Sequence, residues 1–214
     1  MAQEPPTVSD EELARQTQAG SFDAFEQLVY RYEDRVHAFV SQFCRNRADA
    51  RELTQDTFVT AFQKMEQFDA RRRFAAWVFT IARRKCIDRH RTAAPVADDL
   101  ASDQPEPSDD PDPAEALARR EDGQNLWRLA RERLGENQFQ ALWLHYAEDL
   151  DVAQIAHVLR KTRVHVKVML FRARQLLGRE LNPGATLAQA FPPAKLRPVL
   201  AAFSNQSTNV PPAK

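Results

Sequence analysis

Residues 25–43 read FEQLVYRYEDRVHAFVSQF, and their apolar members Phe25, Leu28, Val29, Tyr32, Val36, Phe39, Val40 and Phe43 recur at steps of three and four. That spacing lines one face of a helix, whereas a half-buried strand would alternate at every second residue. The flanking stretches follow the same rule. Upstream, Ser9-Asp10-Glu11-Glu12 pairs a hydroxyl cap with a carboxylate three residues on, so a short helix opens there and stops near Gly20. Downstream, Asn46 to Asp49 reads as a polar break, after which Leu53, Phe58, Ala61, Phe62 and Met65 mark a third helix. Past a loop around Phe68-Asp69-Ala70, Phe74, Trp77, Val78, Ile81 and Ala82 mark a fourth, running to about Arg91. No stretch of strand length alternates, so the first half of the chain is all helical.

The pattern changes between Thr92 and Glu115. Pro95, Pro105, Pro107, Pro111 and Pro113 break any helix, and every ionisable residue from Asp98 to Glu115 is acidic. Such a segment buries too little surface to offset its ordering entropy and reads as an extended linker. Helices resume near Ala116. Leu126, Leu129, Ala130 and Leu134 form one stripe; Phe139, Leu142, Trp143 and Tyr146 form another. Asp151 caps a short helix through Val152, Ile155, Ala156 and Leu159. The turn Arg160-Lys161-Thr162 then leads into a longer helix with Val166, Leu170, Ala173 and Leu177 facing inwards, a helix-turn-helix arrangement. The remainder, residues 183–214, is rich in Pro and Ala. It is expected to be flexible, or to pack loosely through Phe191, Leu196, Val199, Leu200 and Phe203, and either to modulate the module before it or to be an inert extension.

With 214 residues the chain has room for one domain or two small ones, and 43% hydrophobic content suffices for modest cores. Thirty basic and thirty acidic residues cancel, but a basic block from Arg71 to Arg91 precedes the acidic linker. Cys44 and Cys86 read as reduced, core-facing thiols of a cytoplasmic protein. No signal peptide is evident, and no apolar run approaches the ~20 residues that cross a bilayer. A phosphate-binding glycine loop, a nucleophile elbow and a zinc-ligand spacing are all missing, and the five His are scattered. The sequence therefore points away from an enzyme and calls for no cofactor or metal.

Two basic clusters remain as candidate sites. Arg71, Arg72 and Arg73 precede the fourth helix, Arg83, Arg84, Lys85, Arg89 and Arg91 lie along it, and Phe68, Phe74, Trp77 and Phe79 are interleaved. Cations beside rings suit unpaired nucleic acid, since cations neutralise phosphates and rings stack on bases. A solvated basic face with its aromatics turned into the core gives the same pattern. The second cluster, Arg160, Lys161, Arg163, His165, Lys167, Arg172 and Arg174, surrounds the helix-turn-helix, whose second helix would enter a major groove. A generic helical bundle with a basic face is the plainer reading.

The stretch Glu52-Leu53-Thr54-Gln55-Asp56-Thr57-Phe58-Val59, followed by Trp77-Val78-Phe79-Thr80-Ile81-Ala82-Arg83 and Cys86-Ile87-Asp88-Arg89-His90-Arg91, resembles region 2 of bacterial sigma factors. The likeness is strongest to the extracytoplasmic-function group of the sigma-70 family, and Leu134 to Leu181 is similar to the group's region 4. The resemblance implies a promoter-specific initiation factor for RNA polymerase. Glu52, Leu53, Gln55, Asp56 and Phe58 would dock on the β′ clamp helices of core polymerase. Phe68, Arg71, Arg72, Arg73, Trp77, Arg83, Arg84, Lys85 and Arg89 would melt and read the −10 element. Arg160, Lys161, Arg163, His165, Lys167 and Arg172 would read the −35 element, with region 4 near the β flap. The acidic linker would thread towards the RNA exit path, and an anti-sigma factor is a further implied partner.

The expected plan is thus all-α, with two small helical domains joined by an acidic, Pro-rich linker. Region 2 would occupy 8–92, the linker 93–116, region 4 117–182 and a C-terminal extension 183–214. The chain departs from the family at three places. Arg160 stands where a small Gly is usual in the turn, Arg84 where Asn often follows Ile-Ala-Arg, and His165-Val166-Lys167-Val168-Met169 replaces the usual polar recognition sequence. Val168 can meet a thymine methyl, or together with Met169 and Arg160 it can signal a sigma-like regulator whose region 4 binds a protein. An unrelated helix-turn-helix repressor is the third reading.

Overall fold

The computed structural model describes residues 8–44, 46–92 and 126–181, and every regular element among them is helical. The linker and the C-terminal extension lie outside these residues. Two compact units divide the chain, Met1–Pro95 and Val96–Lys214.

In the first unit, α1 spans Asp10–Gln18, α2 Phe22–Ser41, α3 Arg47–Gln63 and α4 Phe74–Thr92, with a short 3-10 turn at Met65–Gln67. Each start is chemically marked. Ser9 Oγ accepts from the Glu12 N–H at 3.2 Å, and the acids Asp10, Glu11 and Glu12 occupy the positive end of the α1 dipole. Ser21 caps α2, and Asn46 accepts from the Asp49 N–H at 2.8 Å to cap α3. The segment read as a polar break at 46–49 is therefore a capped helix start. Gly20 separates α1 from α2 at φ 97°, a backbone conformation that side chains with a Cβ resist.

The stripe on α2 is the core of this unit. Leu28, Tyr32, Val36, Phe39 and Val40 are buried against Phe74, Val78, Phe79 and Ala82 of α4. The Phe39 and Phe79 rings meet edge-on at 5.4 Å, as do Tyr32 and Phe74 at 5.1 Å. α3 contributes Leu53, Phe58 and Ala61, together with two buried threonines that periodicity overlooks. Thr54 and Thr57 donate to the carbonyls of Ala50 and Leu53, both at 2.7 Å, so neither hydroxyl is stranded.

In the second unit, α5 covers 126–133, α6 Glu136–Tyr146, α7 Val152–Leu159 and α8 Arg163–Leu181. Trp127, which the stripe at 126–134 did not include, packs its ring 4.8 Å from Trp143. Asp151 Oδ1 accepts from the N–H groups of Ala153 and Gln154, while the Gln154 side chain accepts from the Asp151 N–H at 2.9 Å. This capping box fixes where α7 begins. Its end is set at Arg160, which adopts φ 52°, ψ 47°. The Arg160 N–H donates to the His157 carbonyl and the Lys161 N–H to the Ala156 carbonyl, the paired bonds of a Schellman turn. Thr162 Oγ1 accepts from the His165 N–H at 3.2 Å and starts α8. Val166, Leu170, Ala173 and Leu177 are buried as their spacing implies, and Met169 joins them.

Candidate nucleic-acid interface

The loop ahead of α4 is held from α1. The Gln18 side-chain amide donates to the carbonyls of Met65 at 2.9 Å and Phe68 at 2.7 Å. Glu11 Oε1 accepts from the Phe74 N–H at 3.1 Å, a negative charge on the first turn of α4. Within the loop, Asp69 accepts from the Arg71 N–H at 3.1 Å and pairs with the Arg72 guanidinium at 3.7 Å. Arg71, Arg72 and Arg73 stand exposed on this fixed turn. Neither Gln18 nor Glu11 was singled out from the sequence. Both act on partners 47 to 63 residues away, and no local pattern signals that.

The two readings of the aromatics separate here. Phe74 and Phe79 are fully buried and Phe68 is only 4% exposed, while Trp77 is half-buried. Phe68 packs 5.0 Å from Trp77 and 5.7 Å from Phe74. The expectation that Phe68 offers its ring to a base is therefore corrected. Its ring is occupied by the core, and it serves the loop by anchoring it. Trp77 alone among these rings keeps partial access to solvent.

The cations of α4 also divide. Arg84 is exposed and pairs along its own helix with Asp88 at 3.8 Å; Arg83 is half-buried. Lys85 reaches Asp56 at 3.5 Å, and Arg89 bridges Asp49 at 2.6 Å and Glu52 at 3.3 Å. Lys85 and Arg89 therefore tie α4 to α3. Partly exposed pairs of this kind contribute little, about 0–1 kcal/mol each.

On α3, Glu52, Gln55 and Asp56 are exposed, but Leu53 and Phe58 are buried. The side chains of Leu53 and Phe58 support the helix from beneath and do not form its outer surface. Val59, 55% exposed, shares the outer face with Glu52, Gln55 and Asp56. Phe62, read from spacing as core, is 47% exposed, with its ring 6.0 Å from the exposed Phe22 and 5.0 Å from Phe25. The three-and-four rule applied to Glu52, Gln55 and Asp56 would have reached Val59. One step of three further along the same face lies Phe62, beside Gln55 around the helix axis.

Cys86 is buried as expected, whereas Cys44 is only half-buried. Burial and the nearby Asp49 push the Cys44 thiol up to about 11, with Arg89 opposing.

In the second unit, Arg160, Lys161, Arg163, His165, Lys167 and Arg172 are all exposed, on the turn and the outer side of α8. Arg174 is half-buried, its guanidinium 5.8 Å from the Tyr146 ring. Val164 and Val168 are exposed among these cations, while Met169 is buried. Among the described residues, no cluster of His, Cys, Asp and Glu could hold a metal ion, and no helix is long and apolar enough to cross a membrane.

Residues 28–95 match the family model for sigma-70 region 2, and residues 125–177 match that for sigma-70 region 4. The chain is 31% identical over 181 residues to the ECF RNA polymerase sigma factor BldN of Streptomyces coelicolor, covering 81% of this chain and 66% of BldN. It is 25% identical to the ECF sigma factor SigW of Bacillus subtilis, over 78% of this chain and 94% of SigW. Among solved structures, it is similar to CnrH in complex with the cytosolic domain of CnrY, with TM-score 0.58 and 25% identity over 82% of this chain and 99% of CnrH. The fold is shared with RpoE of Bartonella quintana, solved with the anti-sigma factor NepR, at TM-score 0.55 and 22% identity over 76% of this chain and 98% of RpoE.

Proposed function

The chain belongs to the extracytoplasmic-function sigma factors of the sigma-70 family, and from that premise we propose how its parts divide the work. It is an RNA polymerase sigma factor that directs transcription initiation, with core polymerase and promoter DNA as its partners. It works as a binding factor in the cytoplasm, not as an enzyme. The observation that carries this reading is that the two family segments fall one on each helical unit.

Region 2 occupies 8–92. The outer face of α3, with Glu52, Gln55, Asp56 and the added Val59, meets the β′ clamp helices, while Leu53 and Phe58 support that face from the core. The loop at 68–73 and α4 engage the −10 element. Arg71, Arg72, Arg73, Arg83 and Arg84 neutralise phosphates there, and Trp77 supports the opened strand. Lys85 and Arg89 join them once they leave the α3 acids. Residues 93–116 form the linker, 117–182 region 4 and 183–214 an extension. Arg160, Lys161, Arg163, His165, Lys167 and Arg172 hold the −35 element. Phosphate contacts fix register, and base-edge contacts select sequence.

The regulator reading, in which region 4 binds a protein instead of DNA, is not favoured. Met169, one of the residues that suggested it, belongs to the core of the second unit. An anti-sigma factor remains a fitting partner, since CnrH and RpoE were both solved in complex with another protein.

The test is reconstitution with core polymerase and a promoter mapped from cells expressing the chain. Formation of a complex and start-site-specific transcripts are expected. Absence of a complex at low salt would overturn the assignment of α3.

A further inference from the structure

The outer side of α8 carries an apolar stripe that its neighbours make chemically specific. Val164 is 72% exposed and Val168 39% exposed, both in the first two turns. At about 100° per residue they stand about 40° apart around the axis. The buried residues Val166, Met169, Leu170 and Ala173 lie on the opposite side. The two valines therefore open an outward apolar ridge on α8, which Phe171, 56% exposed and seven residues after Val164, continues into the next turn. Exposed cations flank the ridge, Arg163 and Lys167 on one side and Arg172, with His165, on the other. The first acidic residue of α8 is Glu180, near its far end.

A major groove has this layout in reverse, with phosphates on both walls and base edges along the floor. The floor offers one apolar group, the C5 methyl of thymine. Asn and Gln, which read adenine by paired hydrogen bonds, are missing from 163–170, so the outward residues that remain to meet base edges there are the valines and their flanking His and cations. Four residues of helix advance about 6 Å, close to two base-pair steps of about 3.4 Å.

We propose that Val164 and Val168 are specificity-determining residues that read thymine methyl groups at two positions of the upstream promoter element, within two base steps of each other. The inference rests on the assignment of region 4 to −35 DNA. An acidic protein would also suit an apolar ridge between cations, but it would not require the cations on both flanks that two phosphate walls do.

The experiment uses the full chain bound to core polymerase. DNA fragments randomised across the upstream element are selected for binding, and each selected thymine is then replaced by deoxyuridine, which removes only the methyl. Two selected thymines within two steps are expected. Deoxyuridine at either should weaken binding about fourfold, the worth of one buried methyl-sized group. Val164→Ala should erase the penalty at one position and Val168→Ala at the other. Both sites are exposed, and circular dichroism with a urea midpoint checks that each variant stays folded. If deoxyuridine is harmless everywhere while Arg163→Ala or Lys167→Ala still weakens binding, the methyl reading is wrong and −35 binding stands. If selection finds no preference in the upstream element, both fail and the ridge belongs to a protein partner.

Discussion

The side-chain amide of Gln18 donates to the carbonyl of Phe68 at 2.7 Å, joining residues 50 positions apart. The same nitrogen serves Met65, so one side chain of α1 fixes both ends of the turn that leads into the −10 loop. Gln18→Ala removes both bonds at a partly solvated site, which costs about 1–2 kcal/mol. If that energy holds the loop in shape, promoter opening falls about fivefold or more. Affinity for core polymerase, which the loop does not touch in this reading, stays unchanged. Permanganate reactivity of promoter thymines measures opening, and native gel shifts measure core binding. A loss of core binding in parallel with opening would mean that Gln18 acts on the fold as a whole.

Val59 tests the composition of the polymerase face. It is exposed beside Glu52, Gln55 and Asp56, so Val59→Glu should leave the unfolding free energy from a urea titration within about 0.5 kcal/mol of the parent. Burying a valine against a partner is worth about 1.5–3 kcal/mol, and introducing a carboxylate forfeits that contribution. Affinity for core polymerase should fall at least about tenfold in a fluorescence titration. Unchanged affinity would remove Val59 from the interface and restrict contact to the polar residues.

The stripes that built the two cores were legible because helical periodicity is local. Leu28, Tyr32, Val36 and Phe39 on α2, and Val166, Leu170 and Ala173 on α8, lie where their spacing puts them. The same spacing could not tell which rings beside the basic helix face outward. Phe68 is drawn into the core by Phe74 and Trp77, whereas Trp77 itself stays only half-buried. Those outcomes depend on what the neighbouring helices leave open. Charge reading failed for a related reason: Lys85 and Arg89 belong to the basic helix by composition but pair with the acids of α3.

Cys44 should be a slow thiol. Its pKa is raised from 9.0 to about 11 by burial and by the Asp49 carboxylate, so thiolate at neutral pH is about a hundredfold scarcer than for a free cysteine. Iodoacetamide labelling of the folded chain should be slow at pH 7.5 and accelerate only as pH approaches 11. The same shift makes a signed contribution to stability. It is intact below pH 9, where the unfolded thiol also keeps its proton, and is lost as pH rises through 11. Asp49→Asn removes the nearby anion and should speed labelling, read by mass spectrometry. Rapid labelling of the parent at pH 7.5 would contradict the raised value.

Arg160 separates stability from DNA binding at one position. It holds the left-handed turn between α7 and α8 at φ 52°, where a Cβ costs about 1–2 kcal/mol and Gly costs less. Both Schellman bonds use backbone N–H groups, so Arg160→Gly keeps them. The added freedom of Gly in the unfolded chain offsets part of the relief, and a net gain of about 0.5–1 kcal/mol is expected. The substitution also deletes a cation beside the proposed groove-reading helix. Without that partner for a phosphate, promoter binding should weaken for all upstream sequences alike, and its salt slope should fall by about one. Arg160→Ala keeps the strain and deletes the same charge, so it should bind as weakly as the glycine variant without becoming more stable. A glycine variant that is stabilised yet binds with the parent's salt slope would show that Arg160 is a turn residue only. The chain would then carry strain at that turn without a return in affinity.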